Sequence, residues 1–258
     1  MKHLILAAFG TTSSARKTYD HIDAAIRPLF SDCQIHWTYT SPTVRRELSG
    51  KKGGTEESLT DLLLKLNQDS QNKVVIQSVH VTPGHEFHRV VRSSAASFVP
   101  TAIGMPLLTA PADYQRVALS LLPLIEGEPG SAVLIIGHGT DHPTWTAYPA
   151  LEAVLRKYAG NRVFVATLEK FPDSSTLIDE IAAHGYQHVL VIPCLMVAGM
   201  HFKRDIIGDI DSSWKKRLQK KNIHLTFHDQ GLGLLEGISD ILCDHIRTAF
   251  QTLKVQGP

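Results

Sequence analysis

Two stretches far apart in the chain echo each other: His3-Leu4-Ile5-Leu6-Ala7-Ala8-Phe9-Gly10-Thr11 and Ala132-Val133-Leu134-Ile135-Ile136-Gly137-His138-Gly139-Thr140. Each is a short apolar run that stops at glycine. An amphipathic helix would interrupt such a run every third or fourth position, and a half-exposed strand at every second; a strand buried on both faces does neither. Strands of that kind belong to parallel sheets covered by helices on both sides. The rest of the chain keeps the same rhythm. Apolar runs at 34–39, 73–81, 162–167, 188–193 and 223–228 alternate with segments of helical period at 14–29, 55–67, 86–98, 112–124, 145–158, 174–184, 201–220 and 235–253. This is the βα alternation of parallel α/β folds.

A polar, Gly- and Pro-containing segment, Glu126-Gly127-Glu128-Pro129-Gly130-Ser131, divides the 258 residues almost in half and reads as a linker. A second echo strengthens the duplication. Val79-His80-Val81-Thr82-Pro83-Gly84-His85-Glu86-Phe87-His88-Arg89 and Cys194-Leu195-Met196-Val197-Ala198-Gly199-Met200-His201-Phe202-Lys203-Arg204 both follow a strand, and aligning Gly84 with Gly199 pairs Phe87 with Phe202 and Arg89 with Arg204. The expected architecture is a duplicated α/β domain, residues 1–125 and 131–258, with a cleft between the halves. Phe9 then stands where the second half has His138, and Glu86 where it has His201.

Composition removes several classes of function. Net charge is +1, and the densest basic run, Lys215 to Arg217 with Lys220 and Lys221, lies on an expected solvated helix, so nucleic acid is not an expected partner. No run approaches the roughly 18 apolar residues that span a bilayer, and the apolar start ends at Gly10 without the cleavage pattern of a signal peptide. Cys33, Cys194 and Cys243 are scattered and odd in number, which suits a reducing, cytoplasmic protein. A homo-oligomer is left open.

Fourteen histidines are the compositional oddity, and position relative to strand ends sorts them. His138 directly follows a buried strand between two glycines that would let a large ligand approach; the bland alternative is a tight Gly-x-Gly turn. Glu169 follows the strand 162–167 before Phe171-Pro172, where a solvated loop glutamate is the default reading. His201 follows an apolar stretch ending in Gly199 and opens the expected helix 201–220. Strand ends of open α/β sheets are where ligands bind, and two imidazoles with a carboxylate suit Co²⁺, Fe²⁺, Ni²⁺ or Zn²⁺ as well as proton acceptance. With no H-E-x-x-H pair, transient metal handling fits better than a fixed catalytic zinc. The Thr11-Thr12-Ser13-Ser14 turn, with Arg16 and Lys17 behind it, reads as an anion cradle or as ordinary helix capping. Neither G-x-x-x-x-G-K-[ST] nor G-x-G-x-x-G occurs, so no nucleotide is expected.

These residues resemble a known family, the ATP-independent class II tetrapyrrole chelatases, and within it the anaerobic sirohydrochlorin cobaltochelatases. The resemblance runs through Ala8-Phe9-Gly10-Thr11-Thr12, Ile76-Gln77-Ser78-Val79-His80 with Gly84-His85-Glu86-Phe87, Gly137-His138-Gly139-Thr140, Leu168-Glu169-Lys170-Phe171-Pro172, Leu195 to His201, Ser213-Trp214-Lys215 and Gly231-Leu232-Gly233. It implies two Rossmann-like domains with parallel sheets flanked by helices, His138 and His201 as metal-binding and proton-accepting residues, and Glu169 completing the site. It also implies Co²⁺ as substrate metal with Fe²⁺ or Ni²⁺ as alternatives, no ATP, a tetrapyrrole substrate, and a place in cobalamin biosynthesis. On this reading Thr11, Thr12, Ser13, His80 and Glu86 bind substrate. Met200 and His85 stand where the family usually has acidic residues, and Lys203-Arg204 is more basic than its pattern. Competing readings are iron insertion into sirohydrochlorin or a porphyrin, a non-catalytic tetrapyrrole or metal carrier, and a small-anion sensor.

Overall fold

The computed structural model describes residues 1–52 and 56–255. Its elements in chain order are β1 (Lys2–Ala8), α1 (Lys17–Ile26), β2 (Cys33–Tyr39), α2 (Pro42–Lys52), α3 (Leu59–Leu66), β3 (Lys73–Ser78), α4 (His85–Ser94), β4 (Thr101–Gly104), α5 (Pro111–Glu126), β5 (Ala132–Gly137), α6 (Ala147–Ala159), β6 (Val163–Thr167), α7 (Leu177–Ala183), β7 (His188–Cys194), α8 (Trp214–Gln219), β8 (His224–Phe227) and α9 (Ile238–Val255). They form two four-stranded sheets, ordered β2-β1-β3-β4 and β6-β5-β7-β8, with every pair parallel. The continuous apolar runs are the inner strands: β5 is buried throughout and β1 from His3 onward. Among the described residues no helix is long and apolar enough to cross a membrane.

The chain forms two compact units, Met1–Thr109 with Ile238–Pro258, and Ala110–Gly237. The expected boundary at 126–131 therefore lies inside the second unit. α5 packs on α6, while α9 returns to β3 and β4 of the first unit, where Phe250 stacks on Phe30. An amphipathic helix goes wherever an open sheet face needs covering, and sequence position alone does not say which sheet that is. Each unit has its own core, around Ile5, Leu63, Ile76 and Val90 in the first and Leu134, Ile136, Phe164, Val191 and Trp214 in the second.

The hydrogen-bond register proves the duplication residue by residue. Ala7 pairs with Ser78 in the first sheet and Ile136 with Pro193 in the second. The Gly10 amide donates to the Tyr19 hydroxyl at 3.1 Å, and the Gly139 amide to Tyr148 at 3.0 Å. Ser41 N–H donates to the Phe9 carbonyl as Glu169 N–H does to that of His138. Gly84 N–H reaches Thr82 and Gly199 N–H reaches Val197, with Phe87 and Phe202 both buried behind them. Phe9, Ser41 and Glu86 are thus the first unit's counterparts of His138, Glu169 and His201.

Some elements differ from expectation. β4 is four residues long, too short to show a period. α2 has only Val44 and Leu48 as large apolar residues; its signal was Ser41-Pro42, where the Ser41 hydroxyl accepts from Val44 N–H as an N-cap ahead of proline at N1. The expected helix from 55 starts at Leu59 behind a Ser58/Asp61 capping box, and Thr55 lies outside the described residues. The expected single helix 201–220 is broken: a π-turn covers Phe202–Ile206 and α8 begins anew at Trp214. Ser213 is the cause, since its hydroxyl donates to the Gly208 carbonyl and accepts from Lys216 N–H.

Candidate active site

His138, Glu169 and His201, the candidate site residues of the second unit, sit beyond the carboxyl ends of β5, β6 and β7. At the end of β5, a Cβ on Gly137 would lie 2.2 Å from the Tyr148 ring, and one on Gly139 would lie 1.7 Å from the Glu169 carbonyl oxygen. Gly139 also has φ +86°, open to glycine at little cost. The room these two glycines leave is taken by the protein itself, where the sequence suggested ligand approach. It lets the loops after β5 and β6 lock together: Glu169 N–H donates to the His138 carbonyl at 3.2 Å and Thr140 N–H to that of Phe171 at 3.2 Å.

That stitching sets the side chains. His138 Nε2 is 3.5 Å from Glu169 Oε1, and both side chains are about half exposed, 48% and 49%. His138 Nδ1 faces its neighbour's carbonyl, Gly139 O, at 3.3 Å, an acceptor only. The tautomer that satisfies this contact carries its proton on Nδ1 and turns a lone pair on Nε2 toward a carboxylate oxygen. Two acceptors facing each other call for a proton or a cation between them. Two ligands of one tetrahedral ion at about 2.1 Å stand roughly 3.4 Å apart, so the observed spacing fits a shared ion.

His201 arrives from β7. Its ring meets that of His138 edge to face, with centroids 4.8 Å apart and planes at 82°. The π-turn that follows is pinned by buried Phe202 and Ile206, which leaves His201 and Asp205 together on the open side. His201 Nδ1 lies 2.9 Å from Asp205 Oδ2, and Arg204 holds the same carboxylate through Nε at 2.7 Å and Nη2 at 3.2 Å. Partial burial pushes the Asp205 carboxyl up, but the hydrogen bonds from Arg204 and His201 outweigh it and hold the group below the usual range. An ionised Asp205 can only accept, so it fixes the His201 proton on Nδ1 and frees Nε2 as a ligand. Asp205 was not singled out in the sequence; its signal was the i, i+4 spacing after His201. Among the described residues no three His, Cys, Asp or Glu side chains already stand at ligating spacing.

The first unit places its expected substrate residues in two groups. Thr11 Oγ1 and Ser13 Oγ are 2.9 Å apart, and Ser13 accepts from Ala15 N–H, so the turn caps the short helix that starts at Ser14 and Thr12 sits between the two. Thr40 joins the others: its hydroxyl donates to Glu86 Oε2 at 2.5 Å and lies 3.4 Å from His80 Nε2. His80 is buried, with Nδ1 2.8 Å from Ser78 Oγ, and burial pulls its pKa down to about 4. A neutral interior ring supports Thr40, and the partly buried Glu86 is the outer end of the chain, paired with Arg89 at 3.1 Å.

Twin parallel α/β units with a His–Glu–His set at the strand ends of one of them define a chelatase-type fold. SirB from Bacillus subtilis with Fe³⁺ shares it at a TM-score of 0.62, with 13% identity, over 99% of this chain and 98% of that one. The chain belongs to the cobalt chelatase (CbiK) family, whose family model matches residues 2–251. It is 30% identical over 260 residues to the sirohydrochlorin cobaltochelatase CbiKC of Nitratidesulfovibrio vulgaris, covering 98% of this chain and 92% of that protein. It is 28% identical over 260 residues to the sirohydrochlorin cobaltochelatase of Salmonella typhimurium, covering 96% of each.

Proposed function

We propose that this protein inserts Co²⁺ into sirohydrochlorin without ATP, in the anaerobic route to cobalamin, with His138, Glu169 and His201 receiving the metal. The observation that carries the site assignment is the 3.5 Å approach of His138 Nε2 to Glu169 Oε1 with the His201 ring alongside. The reaction exchanges one divalent ion for two pyrrolic protons. His138 and His201 hold the ion through neutral nitrogens and, once it leaves for the macrocycle, the same lone pairs accept the protons; half-exposed side chains pass them to water. Phe171 at 55% and Met200 at 63% exposure flank these ligands in the chain and give a flat macrocycle apolar contact. Thr11, Thr12, Ser13 and Glu86, with His80 supporting through Thr40, contact the substrate from the first unit. Holding both reactants in fixed orientation supplies the rate advantage.

The test follows tetrapyrrole absorbance on adding Co²⁺, without nucleotide, to wild type and to His138→Ala and His201→Ala. Wild type turns over many equivalents and both variants lose insertion; variants inserting at the wild-type rate would refute the assignment. Imidazole and carboxylate do not separate Co²⁺ from Fe²⁺ or Ni²⁺ sharply, so the same assay run with each metal in competition ranks them.

A further inference from the structure

The first unit contains a cavity of about 400 Å³ that the metal chemistry does not use. It opens beyond β2, between α2, α3 and α4. Arg45, Arg89 and Arg92 line it together with the hydroxyls of Thr40, Ser58 and Thr60, and no aspartate or glutamate does. Three guanidiniums around one space repel each other unless an anion joins them. Of the three, only Arg89 has an ion pair among the described residues, with Glu86 at 3.1 Å. Arg45 Nη1 donates to the neutral Tyr39 carbonyl, which holds the group in place without cancelling its charge. Asp61 feels Arg45, but its carboxylate is committed to Ser58 at 2.6 Å. Arg89 shares Glu86 with Thr40. Arg92 is exposed and has no ion pair among the described residues.

The duplication makes the cavity more telling. Between β6 and β7 the second unit has the single helix α7, whereas between β2 and β3 the first has both α2 and α3. The extra helix brings Arg45 and one wall of the cavity. The second unit carries the histidines at positions where the first does not, and the first carries a basic, hydroxyl-lined space that the second lacks the helix to build.

We infer that this cavity binds the acetate and propionate carboxylates on the rim of the macrocycle. Guanidinium forks match carboxylates two bonds at a time, the hydroxyls add single donors, and the volume suits organic side arms better than one small ion. Thr40 lines the cavity and bonds Glu86, so the carboxylate site and the expected substrate residues share a wall. The inference rests on the proposed tetrapyrrole substrate and assigns to the first unit the recognition of its charge.

Arg92→Glu and Arg92→Lys test it, because Arg92 touches no other charge and its loss leaves the fold intact. Titration of metal-free sirohydrochlorin should show the dissociation constant rising about 10-fold in Arg92→Glu and largely restored in Arg92→Lys. In steady state, KM for the macrocycle should rise by a similar factor while kcat and KM for Co²⁺ stay within about 2-fold. Macrocycle affinity indifferent to Arg92→Glu overturns the inference. So does an Arg92-dependent affinity for inorganic phosphate with none for the macrocycle, which would assign the cavity to a free oxyanion. Wild-type protein that binds sirohydrochlorin through Arg92 but never metallates it upholds the cavity and sinks the chelatase reading; failure to bind the macrocycle at all sinks both.

Discussion

His201 Nδ1 lies 2.9 Å from Asp205 Oδ2, and that carboxylate is in turn gripped by both Nε and Nη2 of Arg204. The contact decides which ring nitrogen of His201 is left free to act as a ligand. In Asp205→Asn the amide no longer demands a proton on Nδ1, and the ring loses its fixed tautomer and orientation. We expect cobalt insertion to fall about 10- to 100-fold, mostly in kcat and in KM for Co²⁺, with KM for the macrocycle and the circular dichroism spectrum unchanged. An Asp205→Asn enzyme at wild-type rate would remove the residue from the site.

Tyr148 and Tyr19 make the same bond to equivalent glycine amides in the two units, yet only one of those turns carries a histidine, His138, the proposed metal ligand. Tyr148→Phe and Tyr19→Phe should each cost about 1 kcal/mol of stability, the net worth of such a bond. They should part in activity. Tyr148→Phe raises KM for Co²⁺ because it loosens the Gly137-His138-Gly139 turn, while Tyr19→Phe leaves that constant alone. Kinetics varying cobalt at saturating macrocycle, with denaturant titrations alongside, checks both halves.

Gly139→Ala puts a methyl group where the Glu169 carbonyl stands and imposes a positive φ on a residue that resists it. The expected loss is about 2 kcal/mol or more, visible as a lower Tm. Insertion should drop by more than about 10-fold, since the loop that moves away carries the carboxylate facing His138. A variant with normal Tm and rate would mean the two loops are not locked.

His80 gives the stability a pH dependence whose sign is fixed by its depressed pKa of about 4. Below the ordinary histidine value of about 6.5 the unfolded chain takes up a proton there and the folded chain does not. The contribution is complete above that value and drains away as pH falls toward 4. Between pH 7.5 and pH 5, His80→Gln should lose about 2 kcal/mol less stability than wild type, measured by urea unfolding at the two pH values. Parallel curves for the two proteins would show that His80 takes up its proton in the folded chain as readily as in the unfolded one.

The sequence by itself determined every described strand but β4, the duplication and the three candidate residues, because unbroken apolar runs such as Ala132–Ile136 have one economical fate and because glycine-terminated strand ends mark where a parallel sheet presents its ligands. It determined little about where amphipathic segments would dock. α9 crosses back to the first unit and α5 joins the second, since helix placement depends on which sheet face is bare and not on the helix's own pattern. Local polar contacts also escaped it: Ser213 breaks the expected helix 201–220, and that break frees the π-turn that sets Asp205 under His201. The pairing of His138 Nε2 with Glu169 Oε1 was decided by tertiary structure alone. Residues on separate strands of a parallel sheet meet only when the strand register and the connecting loops fix their height, and here the backbone bond from Glu169 to His138 does so.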